Sequence, residues 1–185
     1  MEFITINHWD EELWEKIRPI YQQSFKHGAK PEKILRNMSA KGLCTFHAAM
    51  EENEVAAFAI TASLEGSSVI IIDYLAVRQE YRRHGLGLEL LQYVKEWALS
   101  QEAFQRLIIE VECEDKQENK KRILFWQKCG FVLADDYIHH YKWIPEPYQA
   151  MWLDLSDQKR TVMKGEDLFK IITAFHKVSF RNTTS

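Results

Sequence analysis

Residues 73–98 read "DYLAVRQEYRRHGLGLELLQYVKEWA". The stretch starts near the end of an apolar run, passes two arginines and a histidine, crosses Gly-Leu-Gly and continues as an amphipathic repeat. The run that leads into it, "VIIIDYLAV" (69–77), is β-branched and almost wholly apolar, as suits a central strand covered on both faces. Beyond Gly87, Leu88, Leu91, Val94 and Ala98 recur at helical spacing and Leu90 and Trp97 widen the stripe. A helix is therefore expected to about Leu99. A strand hands over to a helix across a glycine turn. The first turn of a helix leaves four backbone N–H groups without helical acceptors and carries partial positive charge. Glycines let an anion approach that backbone closely, and Arg82, Arg83 and His84 add donors beside Gly85, Leu86 and Gly87. The turn is a candidate cradle for a phosphate or pyrophosphate. It is no P-loop, because Leu88 and Glu89 stand where that motif needs Lys and Ser/Thr, and the third small residue of a dinucleotide fingerprint is Leu90 here. Taken alone, "RRHGLG" reads equally well as an ordinary glycine turn with solvated arginines.

Upstream, "EFITIN" (2–7) alternates as a strand. Asp10 is placed to cap a helix running to about Phe25, with Leu13, Trp14, Ile17, Ile20 and Tyr21 inward. Pro31 opens a second helix that Gly42 closes. "LCTFHAAM" and "VAAFAITASL", parted by the polar turn Glu51–Glu54, make a hairpin. Downstream, "RLIIEVE" (106–112) is a strand, and Asn119 to Cys129 a helix stopped by Gly130. "FVLADDYIHHYKWI" and "AMWLDLS" are two last strands split by the turn "PEPY" (145–148). A tail from Lys164 carries Leu168, Phe169, Ile171, Ile172 and Phe175, enough for one more helix. That helix must bury its stripe, over a sheet face or in a homodimer contact. The order β-α-α-β-β-β-α-β-α-β-β plus a C-terminal helix predicts an α/β fold, an α+β mixed sheet of six to seven strands with helices on both faces. Residues 1–156 are expected to form one domain and 157–185 a helical appendage.

The totals exclude several classes. A net charge of −3 over 185 residues speaks against a nucleic-acid binder relying on a diffuse basic field. The three cysteines, Cys44, Cys113 and Cys129, show no metal-ligand spacing and read as free thiols of a reducing compartment. His139 and His140 are adjacent on a strand and point to opposite faces, so they make no metal pair. Cys129 reads as a small core residue rather than an acyl-carrying nucleophile. The acidic N-terminus lacks the apolar stretch of a signal peptide, and no run approaches the roughly 18 apolar residues of a membrane span. A cytoplasmic protein without metal, membrane or nucleic-acid partner is expected.

The order strand, "AVRQEYRRHGLG", helix, strand, helix, "WQKCGF" resembles the GNAT superfamily of acyl-CoA-dependent N-acyltransferases. Two motifs carry the resemblance: Arg82-Arg83-His84-Gly85-Leu86-Gly87, and "NKKRILFWQKCGF" with Asn119, Trp126, Gly130 and Phe131. The resemblance covers about residues 2–156. It implies acetyl-CoA as co-substrate, its pyrophosphate on the amides from Arg83 to Gly87. It also implies that the pantetheine arm lies along the fourth strand near Leu75, Ala76 and Val77, faced by Asn119 and Trp126. An open strand edge suits the amides of such an arm, and a backbone N–H there is placed to polarise a thioester carbonyl.

Acyl transfer to an amine needs a neutral amine, and alkyl amines are mostly protonated at neutral pH. A carboxylate, directly or through water, is a suitable proton acceptor. Asp73 interrupts an apolar strand, where an acid is costly unless partnered. The family resemblance assigns an acid at this strand position to amine activation; the plain alternative is a buried acid bonded to a backbone amide or a lysine. Alternation puts Glu110 and Glu112 on one face of "LIIEVE"; the plain alternative there is a solvated strand face. Two or three clustered carboxylates would attract a cationic amine and push one member's pKa toward neutrality. Many relatives place a tyrosine where this chain has Trp126, which cannot protonate a leaving thiolate; Tyr141, Tyr148 or water remain for that role. The function implied is acetyl transfer to a primary amine of a small molecule or peptide in one ternary complex. A non-catalytic acyl-CoA-binding or regulatory module is the alternative.

Overall fold

The computed structural model describes residues 1–156 and 162–181. Asp10 starts the first helix: its carboxylate accepts the Leu13 N–H at 2.8 Å, meeting one of the donors a helix start leaves free. The elements are β1 (Glu2–Ile6), α1 (Glu11–Ser24), α2 (Glu32–Ala40), β2 (Cys44–Glu51), β3 (Glu54–Ala62), β4 (Val69–Val77), α3 (Leu86–Ser100), β5 (Arg106–Glu112), α4 (Gln117–Lys128), β6 (Val132–His140), β7 (Pro147–Asp154) and α5 (Gly165–Ser179). This is the expected order, with one 3₁₀ turn, Gln79–Tyr81, added between β4 and α3.

The strands form one mixed sheet in the order β1-β2-β3-β4-β5-β7-β6. On one face α1, α2 and α5 bury Ile17, Leu35, Phe169 and Phe175 with Phe58 and Ile108 of the sheet. On the other, α3 and α4 cover Ile72, Leu107 and Ile109 with Leu91, Ala98 and Trp126. Only β4 and β5 are parallel, and their pairing runs from Val69 and Arg106 only to Ile71 and Ile108. Beyond that point β5 stays with β7 as far as Glu112 and Tyr148. The two parallel strands part, and β4 faces a gap.

A bulge prepares that edge. Thr61 of β3 pairs with Ile72, but Ile60 pairs with Tyr74, so Asp73 is an extra residue on β4. The bulge reverses the alternation: Ile70 and Ile72 face α3 and α4, whereas Tyr74 and Ala76 face α1, α2 and α5. Arg78 N–H donates to Ala56 C=O at 2.8 Å, which sets the phase of the ladder. Ala76 and Tyr74 therefore turn their backbone groups to β3, while Leu75 and Val77 turn theirs to the gap.

Two boundaries differ from expectation. β7 begins at Pro147, inside the expected turn, and β6 stops at His140. Pro147 is tolerated as the first residue of a strand; it pairs with His140, and its carbonyl accepts the Cys113 N–H at 2.9 Å. The tail helix α5 packs on β6, β7 and α2. Lys41, just after α2, donates to the carbonyls of Val178 (3.3 Å) and Arg181 at its end. Residues 157–161 and 182–185 of the expected appendage lie outside the described residues.

Candidate active site

The glycine turn opens α3 directly. Gly85 is its N-cap at φ +86°, and Arg83 takes φ +67°. The N–H groups of Leu88 and Glu89 return to the Gly85 carbonyl at 2.9 and 3.1 Å. Those of Arg83, His84, Gly85, Leu86 and Gly87 have no acceptor among the described residues. The Leu86 side chain is buried, so this residue offers its backbone alone. A Cβ on Gly87 would lie in ordinary contact, 3.4 Å from Val77 Cγ2 and 3.5 Å from Phe125 Cζ. The side chains of Arg82, Arg83 and His84 are exposed, and Arg82 Nε donates to the Val77 carbonyl at 2.9 Å. This arginine thus joins the cradle to the end of β4. Free amides and cationic side chains at the end of an unpaired strand edge suit a diphosphate followed by an amide-bearing arm.

Ala76 does not share that edge. Its backbone faces β3, opposite Phe58, and its side chain is buried. Leu75 and Val77 are the residues with backbone groups toward the gap. Asn119 is buried and donates from Nδ2 to the Glu114 carbonyl at 3.1 Å, holding the lead into α4. Trp126 packs edge-on against Phe131, ring centroids 5.0 Å apart, in the cluster that holds Ile72, Ile109 and Val111. It lies beside the diverging strands and carries no exchangeable hydroxyl.

Each of the three expected carboxylates has a partner, and for Asp73 it is a lysine, the plain alternative for a buried acid. Lys30 Nζ lies 2.7 Å from both oxygens of Asp73, and their side chains are 4% and 5% exposed. Lys30 is fixed from every side. The Tyr74 hydroxyl accepts its N–H, its carbonyl accepts from the Tyr21 hydroxyl, both at 2.9 Å, and its ammonium lies 5.2 and 5.0 Å from the ring centres of Tyr74 and Phe175. Glu112 meets Arg122 of α4 at 3.6 Å. Glu110 accepts from the Tyr141 hydroxyl on Oε2 and from His176 Nε2 on Oε1, both at 2.6 Å.

At Glu110 the partners act against the expected rise in pKa. Burial alone would raise Glu110, but the hydrogen bonds it accepts from His176 and Tyr141 hold it below the usual carboxylate range. Burial, and then the Glu110 charge, push the Tyr141 phenol far above its ordinary value, so it stays a proton donor to Glu110. Burial likewise raises Tyr148, with the Glu112 charge adding to it. His139 stacks on Phe169 at 4.5 Å, and burial lowers its pKa.

Lys30 and His176 were absent from the expected site. His176 had a signal: it lies seven residues beyond Phe169 and four beyond Ile172, a polar ring on the buried stripe of α5. Lys30 had none, since "KHGAKP" reads as a solvated loop.

The family model of the acetyltransferase (GNAT) family matches residues 10–131, more than half the chain. The chain belongs to this family. A search of curated protein sequences returned no match. Among solved structures, a protein from Bacteroides thetaiotaomicron assigned to the GNAT family is 18% identical, with a TM-score of 0.70 over 96% of each chain. The residues left unmatched are fewer than α5 contains, so that likeness of fold extends into the tail helix. An aminoglycoside 6'-N-acetyltransferase complexed with coenzyme A is 12% identical, TM-score 0.69, covering 86% of this chain and 99% of its own. The ribosomal-protein-S18-alanine N-acetyltransferase of Escherichia coli is 18% identical, TM-score 0.62, covering 88% and 99%. At these identities the likeness is one of fold. Among the described residues, no helix is long and apolar enough to cross a membrane.

Proposed function

We propose that this GNAT-family protein is an acetyl-CoA-dependent N-acetyltransferase that acts on a primary amine by direct attack in a ternary complex. One observation carries the reading: the unpaired edge of β4 runs into a turn of unpaired amides at the start of α3, beside a carboxylate–imidazole–phenol cluster. Acetyl-CoA supplies an activated acetyl thioester. The amides from Arg83 to Gly87, with Arg82 and Arg83, hold its diphosphate, and Leu75 and Val77 align its arm as an added strand. The Leu75 N–H is the donor suited to a carbonyl oxygen in the gap. Asn119 and Trp126 shape the gap by fixing α4. The acceptor side is the face of α1, α2 and α5, where Asp73, Glu110 and Tyr141 lie. Trp126 gives no proton and Tyr141 is engaged by Glu110, so the thiolate leaves unaided, as a thiol of pKa about 8.5 allows. The acceptors named for two structural relatives, an aminoglycoside and a ribosomal-protein alanine, support an amine on a small molecule or a peptide.

Calorimetric titration with acetyl-CoA tests the cofactor half. Micromolar binding is expected for the wild type, and loss of at least tenfold for a folded Gly85→Glu variant, which strains a left-handed position and places an acid in the cradle. No binding to the wild type sinks the reading. The paired state of Asp73, Glu110 and Glu112 and the missing hydroxyl at Trp126 favour one second reading, a non-catalytic acyl-CoA-binding module. It is the outcome if acetyl-CoA binds and no amine releases CoA.

A further inference from the structure

The tail helix contributes one titratable side chain to the acceptor face. Resting on the transferase reading above, we infer that α5 completes the active site: His176, oriented by Glu110, accepts the proton of the incoming amine.

His176 Nε2–H donates to Glu110 at 2.6 Å. With that nitrogen protonated, the lone pair of the neutral ring lies on Nδ1. Nδ1 has no hydrogen-bond partner among the described residues. Nor is it among the sealed, unpaired polar atoms, which are Trp14 Nε1, Ser24 Oγ and Ser39 Oγ. It is therefore open to solvent, on a side chain that keeps 20% of its surface exposed. The other candidates are already committed: Asp73 holds Lys30 with both oxygens, and Glu110 has a donor on each of its own. The position suits the role. Ile71 and Ile108 are the last residues that β4 and β5 pair with each other. Asp73 and Glu110 each lie two residues further on, so the cluster stands at the mouth of the gap, on the face opposite α4.

The charged and titratable neighbours leave the ring free to act. Around His176 lie Glu110 of β5, His139 of β6, and Tyr141 just after it. Tyr148 of β7 stays a phenol. Lys30, which faces Glu110 from the loop before α2, is matched by Asp73. Lys41, at the end of α2, is occupied with the carbonyls of Val178 and Arg181. His139 is held toward its neutral form by burial. Glu110 is the charge that fixes the His176 ring.

An alkyl ammonium gives one proton to Nδ1. The freed lone pair forms the C–N bond, the C–S bond breaks with its electron pair on sulfur, and the second N–H proton reaches that thiolate through solvent. An amine already neutral at pH 7 does not need the first step.

The test uses two amines small enough to enter any amine site, ethylamine and 2,2,2-trifluoroethylamine. The second is largely unprotonated at neutral pH. CoA release by wild type and His176→Gln is compared for each. Loss of about a hundredfold with ethylamine, and of only a few-fold with trifluoroethylamine, is expected, with acetyl-CoA binding unchanged. Equal loss with both amines marks a packing role and overturns the inference, as does no loss with either. Nitrogen-15 spectra of the wild type give a readout without turnover: His176 should show the Nε2–H tautomer, and an Nδ1–H tautomer overturns this inference alone. If the wild type binds acetyl-CoA and acylates neither amine, the transferase reading falls and takes this one with it.

Discussion

Asp73 shows how a single residue changes meaning with its partner. In the sequence it is an acid inside an apolar strand. In the fold it is the bulge residue of β4 and half of a sealed ion pair with Lys30. Removing one member of such a pair leaves a buried charge uncompensated. Asp73→Asn or Lys30→Met is expected to cost about 3–5 kcal/mol in urea unfolding, and the double variant Lys30→Met/Asp73→Leu less than either. If the double variant is the least stable of the three, the pair is not the unit described here. The glycine turn before α3, by contrast, is legible in the sequence. Gly85 takes a left-handed φ that favours glycine. That is a local demand of a turn, and the local sequence carries it.

At the scale of elements, β4 has two edges with different duties. Ala76 donates to the ladder with β3, whereas Leu75 faces the gap. Ala76→Pro deletes a ladder bond and should cost about 3 kcal/mol. Leu75→Pro deletes an N–H that β3 does not use, so it should leave a folded protein whose turnover falls about a hundredfold. Chemical denaturation and CoA-release assays read the two effects separately. A second element-scale device is the buried ring of His47. It bonds Thr5 of β1 and Thr61 of β3, each at 2.9 Å, and Thr5 also meets the Tyr93 hydroxyl of α3. Burial pushes its pKa down to about 3 from 6.5. The unfolded chain therefore binds this proton first as the pH falls, and stability is lost below pH 6.5 down toward about pH 3. By linkage the loss is about 2 kcal/mol between pH 6.5 and pH 5. His47→Gln should flatten that acid limb in denaturant titrations, and an unchanged slope would remove His47 as its cause. Alternation announced these strands correctly, but neither the bulge nor the network shows in a pattern of period two.

At the scale of the whole molecule, α5 belongs to the same core as α1 and α2. Leu168, Phe169, Ile172 and Phe175 are all buried to 2% exposure or less. Phe175→Ala should cost about 3–5 kcal/mol. Calorimetry should show one unfolding transition, with the tail helix melting together with the sheet; a separate early transition would make it an independent appendage. By itself, the sequence determined the element order, the glycine turn at Gly85–Gly87 that opens α3 and the amphipathic demand of the tail. Each of these rests on neighbours a few positions apart, which periodicity and turn chemistry report. Only the tertiary structure decided that β7 lies between β5 and β6, that β4 and β5 part after three pairs, and that Lys30 meets Asp73 and His176 meets Glu110. Lys30 and Asp73 are 43 residues apart, and His176 and Glu110 66. No local pattern encodes such a meeting: it is set by which surfaces bury most apolar area when the sheet closes against its helices.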